Sequence, residues 1–186
     1  MNANHDWLPG APPASGAGKY LNPRDLKEYD KRTVDVRVLC PFVNFYEGWV
    51  NKKPVRSATI DGFPEGTVFD EYKGKKGEAK SAWATAVYNH TKKRIMVFSF
   101  SQGTIYGQIK ALVENKKWGP LSGYDLTISS EGEDKETVYK VIPNPHDALP
   151  ASVLKEWEDL QGRWTGLGAL LNGGDPFADF SESVPF

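Results

Sequence analysis

Cysteine is almost missing from this chain. Cys40 is the only one in 186 residues, so no disulfide can close within the molecule, and with only His5, His90 and His146 a Cys/His zinc site has too few ligands. Long apolar runs are missing as well. Nothing approaches the ~18 residues of a membrane span, and the opening MNANHDWLPG lacks the charged-then-apolar pattern of a signal peptide. The expectation is a soluble protein of the reducing cytoplasm, with no membrane contact and no metal or other cofactor. There is also no GxxxxGK[ST] phosphate loop and no set of carboxylates converging on a metal, which argues against an enzyme of phosphoryl transfer or a metal-dependent nuclease. Such an enzyme is the alternative reading, together with a duplex-binding regulator.

Basic residues are missing from one end only. After Arg163 the chain has Asp175, Asp179 and Glu182 but no Lys or Arg. Between residues 49 and 118, by contrast, 13 basic side chains stand against six acidic ones, an excess that the overall charge of -1 hides. A basic body with an acidic end is the asymmetry associated with nucleic-acid proteins. Aromatic side chains make up 12% of a chain whose mean hydropathy is -0.52, which suggests that some rings line a surface.

Taken in order, residues 1–23 are rich in Ala, Pro and Gly and read as a flexible arm. A short helical turn is expected within 24–30. TVDVRVLC then alternates strictly, with Val34, Val36, Val38 and Cys40 on one face and Asp35, Arg37 and Leu39 on the other, the pattern of a half-buried strand. FVNFYEGWV continues as extended chain, with a bend at Pro41 and a bulge expected at Gly48. Residues 51–80 form a long, basic, glycine-bearing insertion with some strand in it. AWATAVY and RIMVFSF, separated by the polar NHTKK, make a hairpin. Ile105, Ile109, Leu112 and Val113 then mark one face of a helix of about three turns, which is too apolar to serve as a free recognition helix for a duplex groove. GYDLTISS and TVYKVIP form a second hairpin around an acidic turn, the return strand ending at Pro143 and Pro145. A short helix follows over residues 150–161, and GLGALLNGG reads as a glycine-rich linker.

Several short strands with one helix before the last hairpin predict a mostly β domain, an OB fold: a five-stranded antiparallel Greek-key barrel with a helix between strands. The expected organisation is a flexible arm over 1–23, the OB domain over 24–146, a short helix within 147–163, and the linker with an acidic tip over 164–186.

FYEGWV followed by KPVR, SQGTIYGQIKALVE, and above all WGPLSGYDLTISSEGEDKETVYKVIPNP resemble the single-stranded-DNA-binding proteins of tailed bacteriophages, over residues 33–145. PFADFSESVPF is similar to the acidic tip of bacterial single-stranded-DNA-binding proteins, which ends in Pro-Phe. The resemblance implies an OB fold, sequence-tolerant binding of single strands in DNA replication, recombination or repair, and no catalysis. Some of those bacteriophage proteins carry a Cys/His-bound zinc, which this chain cannot supply.

Rings that stack on bases and cations that hold phosphates give the expected DNA-binding set. It comprises Arg37, Tyr46, Trp49, Lys52, Lys53, Arg56, Trp83, Tyr88, Lys93, Arg94, Phe98 and Phe100. Alternation does not say which face of RIMVFSF meets DNA, Ile95 and Val97 or Met96, Phe98 and Phe100. The stacked Ala82, Ala84 and Ala86 suggest a packed face that turns Trp83 outward. The expected partner-binding tip is Asp179, Phe180, Glu182, Pro185 and Phe186, offered to replication or repair proteins. Removal of 175–186 is expected to leave stability unchanged. Self-association into a homo-oligomer is left open.

Overall fold

The computed structural model describes residues 19–51, 53–69, 77–161, 166–172, 174, 176 and 177. Within them the chain forms strands β1 (Tyr20–Leu21), β2 (Thr33–Val38), β3 (Val43–Val50), β4 (Lys53–Ser57), β5 (Lys80–Asn89) and β6 (Arg94–Phe100), then helix α1 (Gly103–Glu114). Strands β7 (Tyr124–Glu131) and β8 (Val138–His146) and helix α2 (Ala151–Gln161) complete it, with 3-10 turns at Pro23–Glu28 and Leu167–Asn172.

The strands join in one sheet in the order β1-β6-β5-β2-β7-β8, with β3 pairing β5 and β4 pairing β3. All these pairings are antiparallel except β1 with β6. β2 and β3 lie along the same edge of β5, Val38 opposite Val87 and Val43 opposite Ala84, so they act as one long strand bent at residues 39–42, where Pro41 sits. The closed, all-antiparallel five-stranded barrel expected from the sequence is therefore replaced by a mixed eight-stranded sheet that does not close. One cause is visible on β8. Gln108 of α1 donates through Nε2 to the Tyr139 carbonyl at 3.1 Å, while the Val141 amide donates to Gln108 Oε1 at 2.9 Å. A side-chain amide thus takes the backbone groups that a closing strand would use, and Pro143 and Pro145 lack the N–H to recruit one. β8 runs on through both prolines instead of ending at them.

The sheet is covered on both faces. On one, Val34, Val36, Val38, Met96, Phe98, Tyr124, Leu126 and Ile128 pack with Ile105, Ile109 and Leu112 of α1. On the other, Phe45, Ala82, Ala84, Ile95 and Val97 pack with Leu160 of α2 and with Leu167, Leu170 and Phe177. Neither face of RIMVFSF is left for a ligand: Ile95 and Val97 lie under the C-terminal segment, and Met96, Phe98 and Phe100 lie in the first core. A nearly continuous apolar run is what a strand buried on both faces requires. GLGALLNGG is likewise no free linker, since Leu167 and Leu170, spaced i to i+3, face the second core. Cys40, expected on the valine face, sits in the bend and packs with that second core. Gly48 stands in unbroken register between Glu47↔Arg56 and Trp49↔Pro54, so there is no bulge. It is glycine because Thr67 and Phe69 lie over it: an added Cβ would come 2.6 Å from Thr67 Cγ2.

Candidate nucleic-acid interface

Directly opposed residues on neighbouring strands point to the same side of a sheet, and β3 carries such a row through to both of its neighbours. Glu47 stands opposite Arg56 of β4 and opposite Lys80 of β5. The same face continues from the apolar Phe45, Ala82 and Ala84 into this polar row, and Trp49 lies two residues further along β3. The C-terminal segment covers the apolar part. Beyond it the face opens into a groove of about 310 Å³ lined by Glu47, Trp49, Arg56, Glu78, Lys80 and the β6 end Ser99–Gln102, and walled by Asn22, Pro23, Arg24 and Asp25.

Within the groove Trp49 is half-buried, one edge of its backbone paired to Pro54 and the other held by Val68 through two hydrogen bonds of 2.8 Å. The indole is thus carried on fixed backbone. The Arg56 guanidinium lies 5.4 Å from the centre of the buried Phe45 ring, and its Nε is 3.4 Å from Glu47 Oε1. That separation is within ion-pair range, but the Nε is buried and finds no hydrogen-bond acceptor among the described residues. The groove holds three cations, Arg24, Arg56 and Lys80, against three carboxylates, Asp25, Glu47 and Glu78. With the charges balanced, what it can offer a ligand is a ring to stack on and directed guanidinium and ammonium donors.

The residues expected from the sequence do not all meet here. Trp49 and Arg56 do, with Lys53 exposed on the adjoining hairpin and the edge of the buried Phe100 in the wall. Arg37 is a correction: it is 2% exposed, its Nε 2.7 Å from Asp125 Oδ1 and its Nη1 donating to the Ser122 carbonyl at 3.2 Å. His90 reaches the same Asp125 oxygen at 3.0 Å. Phe98 and Phe100, 2% and 4% exposed, belong to the first core and present no face to a base. Trp83 does not point outward: it stacks on Tyr106 at 4.3 Å and on Phe100 at 5.7 Å, so rings of the protein already occupy the contacts a base would need.

Tyr46 points to the opposite face from Trp49, beside Ser57 and Ser81. Tyr88 is half-buried against the second core and edge-on to His90. Lys93 and Arg94 are exposed at the β5–β6 turn, at the far end of β5 from Lys80, roughly 30 Å away at ~3.3 Å per residue. Lys52 and the whole tip, Asp179, Phe180, Glu182, Pro185 and Phe186, lie outside the described residues. Arg24 and Gln102 were missed, and Lys80, one of the 13 basic side chains between 49 and 118, was not in the expected binding set. Lys80 shares the parity of Ala82, Ala84 and Ala86, a signal that could have placed it, whereas nothing local predicts that the 3-10 turn Pro23–Glu28 comes to the groove.

Among the described residues no group of three or more His, Cys, Asp or Glu side chains is placed to hold a metal ion, and no helix is long and apolar enough to cross a membrane. Comparison of the chain with protein-family models, with curated proteins and with solved structures returns no match.

Proposed function

We propose that the protein binds single-stranded DNA without regard to sequence, in the groove at Trp49, and serves in replication, recombination or repair. The observation that carries this reading is the half-buried Trp49 held on paired backbone beside Arg56, Lys80 and Arg24 in an open groove. A base stacked on such a ring contributes roughly 1 to 3 kcal/mol whatever its identity, and the neighbouring cations are placed for its phosphates. The fold supports the same reading. Taking bent β2–β3 as a first strand, the sequence first strand, β5, β6, α1, β7, β8 gives the order 3-2-1-4-5 across the sheet with the helix between the third and fourth. That order fits an opened OB arrangement, whose second and third strands and first loop are the usual oligonucleotide surface. The groove lies along β5, β6 and the β3–β4 hairpin that precedes them. Recruitment of partner proteins by the acidic tip rests on the sequence alone.

The test compares binding to single-stranded DNA, duplex DNA and RNA of one sequence and its scramble, with and without Mg²⁺. The expected result is tight binding to both single DNA strands, weak binding to duplex, and intact oligonucleotide throughout. Cleavage in Mg²⁺ would favour a nuclease, and preference for one duplex sequence a regulator.

A further inference from the structure

On the other side of Arg24 lies a second groove. Its volume is about 440 Å³, and Pro23 and Arg24 line both. The second groove runs between the 3-10 turn Pro23–Glu28 and the β7–β8 turn, and unlike the first it is unbalanced in charge. Arg24, Lys27, Arg32 and Lys135 line it against two carboxylates, Glu133 and Asp134. One of those is already used, because Arg32 is paired to Glu133 and also donates to the Gly132 carbonyl at 2.7 Å. Arg24, Lys27 and Lys135 are exposed and make no ion pair among the described residues.

The walls are built in costly backbone. Of the five non-glycine residues with positive φ among the described residues, Lys31 (50°), Arg32 (52°) and Asp134 (48°) are here, and such conformations persist where the surroundings hold them. Here the surroundings are visible: the Arg32 guanidinium ties the short 3-10 turn Asp30–Arg32, which follows the Pro23–Glu28 turn, to the β7–β8 turn across about a hundred residues of sequence. Gly132, at φ 85°, admits no side chain, because a Cβ would stand 2.6 Å from the Glu136 carbonyl oxygen. The turn carrying Lys135 is thus fixed against the Asp30–Arg32 turn, which follows directly on the turn carrying Arg24 and Lys27.

We propose that this second groove holds the phosphates of the same single strand whose base stacks at Trp49, with Arg24 as the shared residue between a stacking subsite and a purely electrostatic one. The inference rests on the reading of the first groove as a single-strand site. It gives the strand a direction across the molecule, from the β3–β4 hairpin over the Pro23–Glu28 turn to the β7–β8 turn. It also makes affinity depend on length, since a short oligonucleotide fills the first groove only.

The test uses oligo-dT of about 4 and about 12 nucleotides, within the site sizes of such domains, and the full chain with Lys27→Ala and Lys135→Ala combined. An equal-charge control replaces Lys116 and Lys155, exposed elsewhere, by Ala. The expected result is unchanged binding of the short oligonucleotide by the double variant and weakened binding of the long one. At about -0.7 in log-log salt slope per phosphate, two lost contacts make the wild type lose roughly sevenfold more affinity for the long strand than the variant does between 50 and 200 mM salt. The control should keep the wild-type slope. Equal behaviour of variant and wild type on the long strand, or an equal loss on both lengths, would overturn the second groove while leaving the first. Failure of the wild type to bind either length would instead remove the single-strand reading itself.

Discussion

Trp49 and Trp83 look alike in the sequence, each a tryptophan in a strand near lysines, yet the structure separates them. Trp49→Ala removes a ring from an open groove, so single-strand binding should weaken by roughly 1 to 3 kcal/mol with the melting temperature nearly kept. Trp83→Ala removes the middle of a ring stack and should cost on the order of 3 kcal/mol of stability. Chemical denaturation beside a DNA titration distinguishes the two. Tyr124 offers a second test at this scale. It is fully buried, its hydroxyl finds no partner among the described residues, and burial raises its ionisation above the usual value of 10. Burial does the same to Tyr29, against the opposing hydrogen bond from Asn89. A phenol kept neutral by the fold gives stability that is complete below about pH 10, where the unfolded chain begins to ionise, and lost as pH rises through the folded value. Tyr124→Phe should therefore flatten the alkaline limb of a stability profile and leave stability at pH 7 equal or about 1 kcal/mol higher, since it deletes an unsatisfied group. A steeper limb, or a large loss at pH 7, would show that the hydroxyl has a partner.

Among the elements, those with a clear period were legible. α1 follows from Ile105, Ile109 and Leu112, while Val113, expected on the same face, is exposed; β2 and β7 follow from alternation, because each buries a face. The C-terminal segment was not legible. Leu167 and Leu170 sit among glycines at 3-10 spacing, too short a signal to outweigh a linker composition, and what they cover is a sheet face formed 80 residues earlier. The same burial corrects the expected boundary of the tip. Phe177 is 5% exposed, so cutting at residue 175 removes a core side chain and should destabilise the protein. Ending the chain after 177 should leave the melting temperature unchanged. Ending it after 166 removes three buried side chains, each contributing about 1.5 to 3 kcal/mol before the ordering entropy of the segment is set against it, and should lower the melting temperature by roughly 5 to 10 °C. Calorimetry of the two truncations checks this, and equal melting temperatures would remove the second core from the account.

For the whole molecule, the sequence showed the sign of the charge pattern but not its arrangement. Trp49 and Arg56 were legible as a ring and a cation in one stretch, and pairing of β3 with β4 brings them together. Lys80, which shares the face of Ala82 and Ala84 by alternation, joins them through the register of β3 on β5, and Arg24 joins through a turn that returns from the N-terminal side, which no local pattern encodes. Lys93 and Arg94, as basic as any, end up at the other end of β5. Among the described residues the basic side chains are therefore divided between the groove, the β5–β6 turn and the α1 region, and single-strand affinity should fall with salt less steeply than all 13 cations would give, at about -0.7 per phosphate contacted. The most direct measurement of the central claim is photo-crosslinking of an iodouracil-bearing single strand to the intact protein, followed by mass spectrometry of the linked peptides. The account predicts crosslinks at Trp49 and its neighbours in β3 and β4. Crosslinks confined to the β5–β6 turn at Lys93 and Arg94, with Trp49 unmodified, would contradict it.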